Sequence, residues 1–192
     1  MKKISINDIH GIDLTGKVIC FPTDTVYGVG AMITDKEAIE KIYNLKNRDK
    51  NKPLAVLSPS IEAMLPLVKI ENEKTRKLMT KWPGALTIIF EKSEEAKDYL
   101  SKDLKTIGIR IPDSEIALAV LNNFGVLATT SVNISGSAAL NDKEEIERIF
   151  NDKIDYMIVE EEKKSGISST VVMIKNEDIT VLRQGSIDVS DI

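Results

Sequence analysis

The sequence predicts an α/β domain: a twisted, mixed β-sheet with flanking helices. Three observations lead there. Apolar runs of strand length alternate with segments whose apolar residues recur at helical spacing, the pattern of helices layered on a sheet. The last strand-like runs, 156–159, 170–174 and 180–182, follow one another without helices between them, which favours a mixed sheet over a purely parallel one. Finally, 192 residues, 42% of them apolar, can bury one sizeable core. The expected organisation is a polar N-terminal arm, residues 1–15, and one domain, residues 16–192.

Taken in order, residues 11–17 (GIDLTGK) match most of a phosphate-binding P-loop. However, Val18 stands where the Ser or Thr should be, and the stretch precedes a strand instead of following one, so it reads as a turn. The apolar run 18–21 (VICF) is the first strand. It feeds a polar loop, PTDTVYGVG, with Thr23, Asp24 and Thr25 clustered at its start. Thr34 with Glu37 forms a capping-box pattern, and Ala38, Ile39, Ile42, Tyr43 and Leu45 then recur as one helical face. A cationic cluster, Lys46, Arg48, Lys50 and Lys52, follows, and its plain reading is complementation of the helix dipole.

Residues 54–57 form a second strand. Helices are expected over 61–68 and 72–82, the latter ended by Pro83-Gly84, and then a buried strand, ALTIIF, at 85–90. Residues 93–105 read as a charged loop. TIGIRI at 106–111 is the clearest alternation in the chain, with three isoleucines on one side and Thr106, Gly108 and Arg110 on the other. A helix over 114–123 ends at Gly125, a strand over 126–130 runs into the polar loop SVNISG, and Asn141 is placed to cap a last helix ending at Phe150.

Composition excludes several kinds of chemistry. His10 is the sole histidine and Cys20 the sole cysteine, so a Ser-His-Asp triad, a His/Cys metal cluster and an internal disulfide all lack their parts. Cys20 lies inside an apolar run, as an inert buried thiol would. The net charge of -4 argues against nonspecific coating of nucleic acid. No apolar run approaches a membrane span and the first residues lack a signal-peptide core, so a cytoplasmic protein without a membrane partner is the expectation. What remains is positioning and electrostatic stabilisation, which suits phosphoryl or nucleotidyl transfer. The residues equipped for it are Thr23, Thr25, Lys46, Arg48, Thr106, Arg110, Ser131, Asn133, Ser169 and Arg183, at strand ends or on polar strand faces. Each taken singly also reads as a cap, a turn former or a solvated charge.

PTDTVYG, LKNR with KPL after it, WPGALT, TIGIRIP, ATTSVNISG, SSTVV and VLRQG occur in an order that resembles the YrdC-like family, the threonylcarbamoyl-AMP synthases of tRNA modification, over about residues 16–187. The resemblance implies a single-domain short form with a concave, positively lined sheet face. It implies synthesis of L-threonylcarbamoyladenylate from L-threonine, bicarbonate and ATP, with Mg2+ carried on the phosphates of ATP and pyrophosphate released. A separate transferase complex then uses the product at position 37 of tRNA, and some members bind double-stranded RNA or tRNA. Carried over by position, Thr25, Arg110, Thr129 and Ser169 resemble threonine contacts. Lys46, Arg48, Lys52, Thr106, Ser131, Asn133 and Arg183 resemble ATP contacts, with Lys46, Arg48, Ser131 and Asn133 nearest the chemistry. The chain departs from the pattern at Asn47 (often Gly), Lys52 (often Asn), Leu57 (His in some members), Ala85, Val132 and Ala139.

Two rival readings remain at this level. An RNA-binding module would use residues 46–52 and 76–81 as a basic face, although the chain lacks stacking aromatics in a basic stripe. A carbamoyl-transferring relative of hydrogenase maturation would need zinc-finger modules, for which one cysteine does not suffice.

Overall fold

The computed structural model describes all residues except Glu71, Lys102, Asn176 and Glu177. Its strands are β1 (Lys2–Ile4), β2 (Ile19–Phe21), β3 (Gly28–Met32), β4 (Ala55–Leu57), β5 (Val68–Lys69), β6 (Leu86–Lys92), β7 (Thr106–Arg110), β8 (Leu127–Ser131), β9 (Tyr156–Ile158), β10 (Thr170–Lys175) and β11 (Asp178–Arg183). The helices are α1 (Lys36–Lys46), α2 (Ile61–Met64), α3 (Glu73–Met79), α4 (Glu115–Phe124) and α5 (Lys143–Phe150), with 3-10 turns at Ile6–Gly11 and Leu65–Leu67. Among the described residues the strands form one mixed sheet, ordered β1-β9-β2-β3-β8-β4-β7-β6-β10-β11, with β5 beside β6. β4 and β7 pair parallel, as do β6 and β10, while β3–β8, β4–β8 and β6–β7 are antiparallel.

The two faces of this sheet are covered unequally, and the inequality makes the site. On one face Cys20, Val29, Ala31 and Ala128 pack with α1 and α5. Val56, Ile88, Ile107, Ile109 and Val172 continue that face against α2 and α3. On the other face α4 and the first 3-10 turn cover only the β2-β3-β8 side, through Ile9, Ile19, Phe21, Leu57, Ala117, Val120, Leu121 and Leu127. The rest of that face, toward β7, β6 and β10, has no helix over it among the described residues and forms a hollow.

Several sequence expectations need correction. Residues 1–15 are no arm: β1 pairs parallel with β9, and Ile4, Ile9 and Leu14 are buried against α4. The stretch GVGAM is no loop but the buried strand β3. Its glycines mimic loop composition, yet a Cβ on Gly30 would stand 2.8 Å from Thr129 Cγ2 and 3.3 Å from Phe21, so the glycine marks close approach between β3 and its neighbours. The cap of α1 is Asp35, not Thr34: Asp35 Oδ1 accepts from Ala38 N at 2.9 Å while Oδ2 accepts from Gly16 N at 2.6 Å. That second bond ties the P-loop-like turn to a helix start, and Lys17 from the same turn reaches Tyr156 Oη and Asp13 O, so no phosphate cradle exists there. The α5 cap is likewise Asp142, one residue beyond Asn141.

Gly30→Ala should destabilise the fold by about 1–3 kcal/mol, because the methyl would stand 2.8 Å from Thr129 Cγ2 and 3.3 Å from the Phe21 ring, so that a neighbour must shift. Urea unfolding of the two proteins checks this, and an unchanged midpoint would contradict the close approach.

Candidate functional site

The hollow has a volume of about 310 Å³, the size of a small-molecule site. Alternate residues of adjacent strands form its floor: Leu57 and Ala55 from β4, Arg110, Gly108 and Thr106 from β7, Ile89 and Thr87 from β6, Thr129 and Ser131 from β8. Period-2 alternation therefore works across the sheet, with the isoleucines of TIGIRI facing the core while Arg110 faces the hollow. The site lies across a sheet face, not only at strand ends. Gly108 deepens the floor, since a Cβ there would press on Thr87 at 3.3 Å.

Of the predicted site residues, Thr23, Thr25, Arg48, Thr106, Arg110, Thr129, Ser131, Ser169 and Arg183 line this one hollow. Lys46 and Asn133 stand directly behind Ser131. The Lys46 ammonium, 1% exposed, donates to Ser131 O at 2.5 Å and Asn133 Oδ1 at 2.6 Å, and Ser131 Oγ donates to the same Oδ1 at 2.7 Å. It is thus no solvated helix-end charge. Among the described residues it has no carboxylate partner, and burial first, then Arg48 nearby, lowers its pKa to about 8. Lys52 is the exception: its side chain is exposed, and only its carbonyl takes part, accepting from Tyr43 Oη and Arg48 Nε, both at 3.1 Å.

The loop after α1 explains how Arg48 is aimed. Asn47 adopts φ 51, ψ 45, a left-handed helix end that Asn tolerates better than most residues. The departure from Gly at this position therefore keeps the backbone turn. Arg48 then fixes its guanidinium on backbone oxygens, Lys52 O and Pro53 O at 2.9 Å. Arg183 is held the same way, Nε on Ser169 O at 2.9 Å and Nη2 on Ser169 Oγ at 3.1 Å. Burial lowers the Arg183 pKa.

Arg110 differs. Its Nη2 pairs with Asp24, its Nη1 donates to Thr25 Oγ1 at 2.9 Å, and its enclosed Nε has no partner among the described residues. Burial pushes the Asp24 carboxyl up against the pull of Arg110, and pushes the Arg110 guanidinium down against the pull of Asp24. Thr23 Oγ1 donates to Val26 O at 2.7 Å and lies 3.0 Å from Thr25 Oγ1, so the Thr25 proton goes to Thr23 and Thr25 presents a lone pair.

Sequence reasoning missed Thr87, a lone hydroxyl in an apolar strand, which lies 2.8 Å from Ser169 Oγ. Such an isolated polar residue was the available signal. The ring of apolar contacts from Leu54, Ala55 and Leu57 left none, since any core strand shows the same residues.

The family model Sua5_yciO_yrdC, described as telomere recombination, matches residues 14–185. The chain belongs to this family. It is similar to threonylcarbamoyl-AMP synthase of Pyrococcus abyssi, 33% identical over 179 residues, covering 92% of this chain and 53% of the relative. It is also similar to the protein of that name from Vibrio campbellii, 31% identical, covering 89% of this chain and 94% of the relative. Among solved structures, P. abyssi Sua5 complexed with L-threonine superimposes with TM-score 0.86 at 32% identity, over 96% of this chain and 56% of that one. E. coli YciO superimposes with TM-score 0.85 at 28% identity, over 96% and 91%. The chain spans about half the length of its P. abyssi relative and of a Bacillus subtilis one.

Lys46 makes the stability of the ligand-free protein pH-dependent. Its folded pKa, about 8, lies below the ordinary 10.5, so the unfolded chain binds more protons between these values. The penalty is fully present below about pH 8 and fades as pH rises toward 10.5. The stability of wild type relative to Lys46→Met should therefore increase across that window, by on the order of 3 kcal/mol. Denaturant titrations of both proteins at several pH values measure it, and a flat difference would show an ordinary lysine.

Proposed function

We propose that this protein is an L-threonylcarbamoyladenylate synthase, a nucleotidyltransferase that joins L-threonine, bicarbonate and ATP and releases pyrophosphate. The observation that carries the reading is charge. Three guanidiniums, Arg48, Arg110 and Arg183, face one hollow whose wall holds no carboxylate among the described residues. A buried lysine stands behind it. Such a wall suits a polyanion beside a smaller anionic group.

The reaction has two steps. The amine of threonine adds to the carbon of CO2 and its nitrogen loses a proton, or adds to the carbon of bicarbonate and water leaves; either route gives the carbamate. A carbamate oxygen then attacks the α-phosphorus of ATP as the bond to pyrophosphate breaks. Arg48, Arg183 and the ammonium behind Ser131 are suited to neutralise the phosphates, and Ser131, Asn133 and Thr106 to orient the nucleotide. Arg110 is suited to the threonine carboxylate. Thr25, able only to accept, is suited to the amine, with Thr129 and Ser169 completing the amino-acid side. A sheltered floor protects a mixed anhydride from water.

No cluster of three or more His, Cys, Asp or Glu that could hold a metal occurs among the described residues, so Mg2+ would arrive on the phosphates of ATP, neutralising charge there with hydroxyls and water as its other ligands. Family resemblance supports L-threonine as the amino acid, since P. abyssi Sua5 was crystallised with it. It also supports a separate transferase complex that moves the threonylcarbamoyl group to tRNA position 37. No helix among the described residues is long and apolar enough to cross a membrane, which agrees with the cytoplasmic location proposed here.

Purified protein given ATP, L-threonine and labelled bicarbonate should form the labelled adenylate and pyrophosphate, and neither when threonine is left out. Salt-sensitive tRNA binding without turnover would instead favour an RNA-binding module. Arg110→Ala should weaken use of threonine by roughly 10- to 150-fold with ATP binding little changed, the worth of one or two charged hydrogen bonds. Equal loss for both substrates would remove Arg110 from the amino-acid side.

A further inference from the structure

The three arginines of the hollow are not electrically equivalent. Arg48 rests on Lys52 O and Pro53 O, and Arg183 on Ser169 O and Ser169 Oγ, so carbonyl and hydroxyl dipoles orient them while their full charge stays available. Among the described residues, Arg110 is the one of the three paired with a carboxylate, that of Asp24, and the pair is enclosed, with the two side chains 6% and 15% exposed. Asp24 does not itself line the hollow. It stands behind the guanidinium, where the 160–168 loop supports it: Ser165 N donates to Asp24 O at 2.9 Å and Gly166 N to Thr25 O at 2.8 Å.

We infer that Asp24 sets the specificity of the amino-acid side of the site, cancelling the charge of Arg110 so that this end accepts a zwitterion and rejects phosphate. The inference rests on the synthase reading above. Without Asp24 the hollow would be cationic from end to end. A phosphate chain would then gain as much at Arg110 as at Arg48 and Arg183, and would compete with the amino acid. With Asp24 present, the guanidinium keeps the hydrogen-bonding geometry that recognises a carboxylate but offers little net attraction to a multiply charged anion. Discrimination is then a difference between two affinities, produced by disfavouring the wrong occupant. Asp24 acts through Arg110 and is a positioning residue, not a catalytic one.

The test compares binding of L-threonine and of inorganic phosphate to wild type, Asp24→Asn and Asp24→Glu by titration calorimetry. In Asp24→Asn, which keeps the shape and an acceptor oxygen but loses the charge, phosphate affinity relative to threonine should rise about tenfold or more, the usual influence of one close charge. Asp24→Glu should restore the wild-type ratio. An unchanged ratio in Asp24→Asn, or an equal change in both variants, overturns the inference. If Asp24→Asn does not fold, wild type decides by itself: phosphate should inhibit synthesis competitively with ATP and not with L-threonine, and competition with threonine overturns the inference. Failure of the synthase reading looks different, since wild type would then bind no L-threonine and make no adenylate.

Discussion

Like charges repel, and this fold gathers three guanidiniums around one hollow with a buried lysine behind its wall and, among the described residues, one ion-paired carboxylate, Asp24. Holding these cations close together is the constraint that shapes the surroundings. Arg48 and Arg183 are tied to backbone carbonyls, which point dipoles at the charge without neutralising it. Lys46 is tied to Ser131 O and Asn133 Oδ1, with burial drawing its pKa down to about 8. Most of these restraints come from main-chain atoms of loops that leave or enter strands. The geometry of the cations is therefore set by the path of the backbone, which the two helical layers on the opposite face stabilise.

Unequal coverage of the sheet follows from the same residues. A strand flanked by neighbours on both sides must bury its apolar side. β4, β6 and β7 do so with Val56, Ile88, Ile107 and Ile109. Their other side carries Thr87, Thr106, Gly108 and Arg110, which no apolar helix could cover without stranding polar groups. Farther along, the same face carries Ile19, Phe21 and Leu127, and there α4 settles. The boundary between a covered and an open face is thus written in which strands alternate apolar with polar residues.

That alternation is why much of the site was legible in the sequence. TIGIRI assigned Arg110 to the polar side by spacing alone, and the polar ends of β8 and β10 pointed to Ser131 and Ser169. Nine of the predicted residues do share one hollow. Two things were not legible. One was β3, whose glycines resemble a loop until the contacts of Thr129 and Phe21 show why a side chain is excluded. The other was the first segment, too short and too polar to read as an edge strand until its pairing with β9 buries Ile4. Both depend on residues far along the chain, which no local pattern reports.

Asp24 illustrates the same limit at the level of chemistry. In the sequence it is one polar residue in a cluster of three, indistinguishable from a turn former. Its pairing with Arg110, 86 positions away, gives it meaning, because pairing separates one arginine from two others of identical composition. A family pattern can mark all three arginines as ligand contacts, but it does not say which of them carries an uncompensated charge. That distinction is a property of the folded neighbourhood. It determines whether a site for two anionic reactants behaves as one continuous cationic trough or as two compartments of different polarity. The contacts of Arg110 fit the second arrangement: Nη2 is restrained by the Asp24 carboxylate and Nη1 by Thr25 Oγ1, so the guanidinium keeps its orientation toward the hollow while its charge is met from behind, which is what separates it from Arg48 and Arg183.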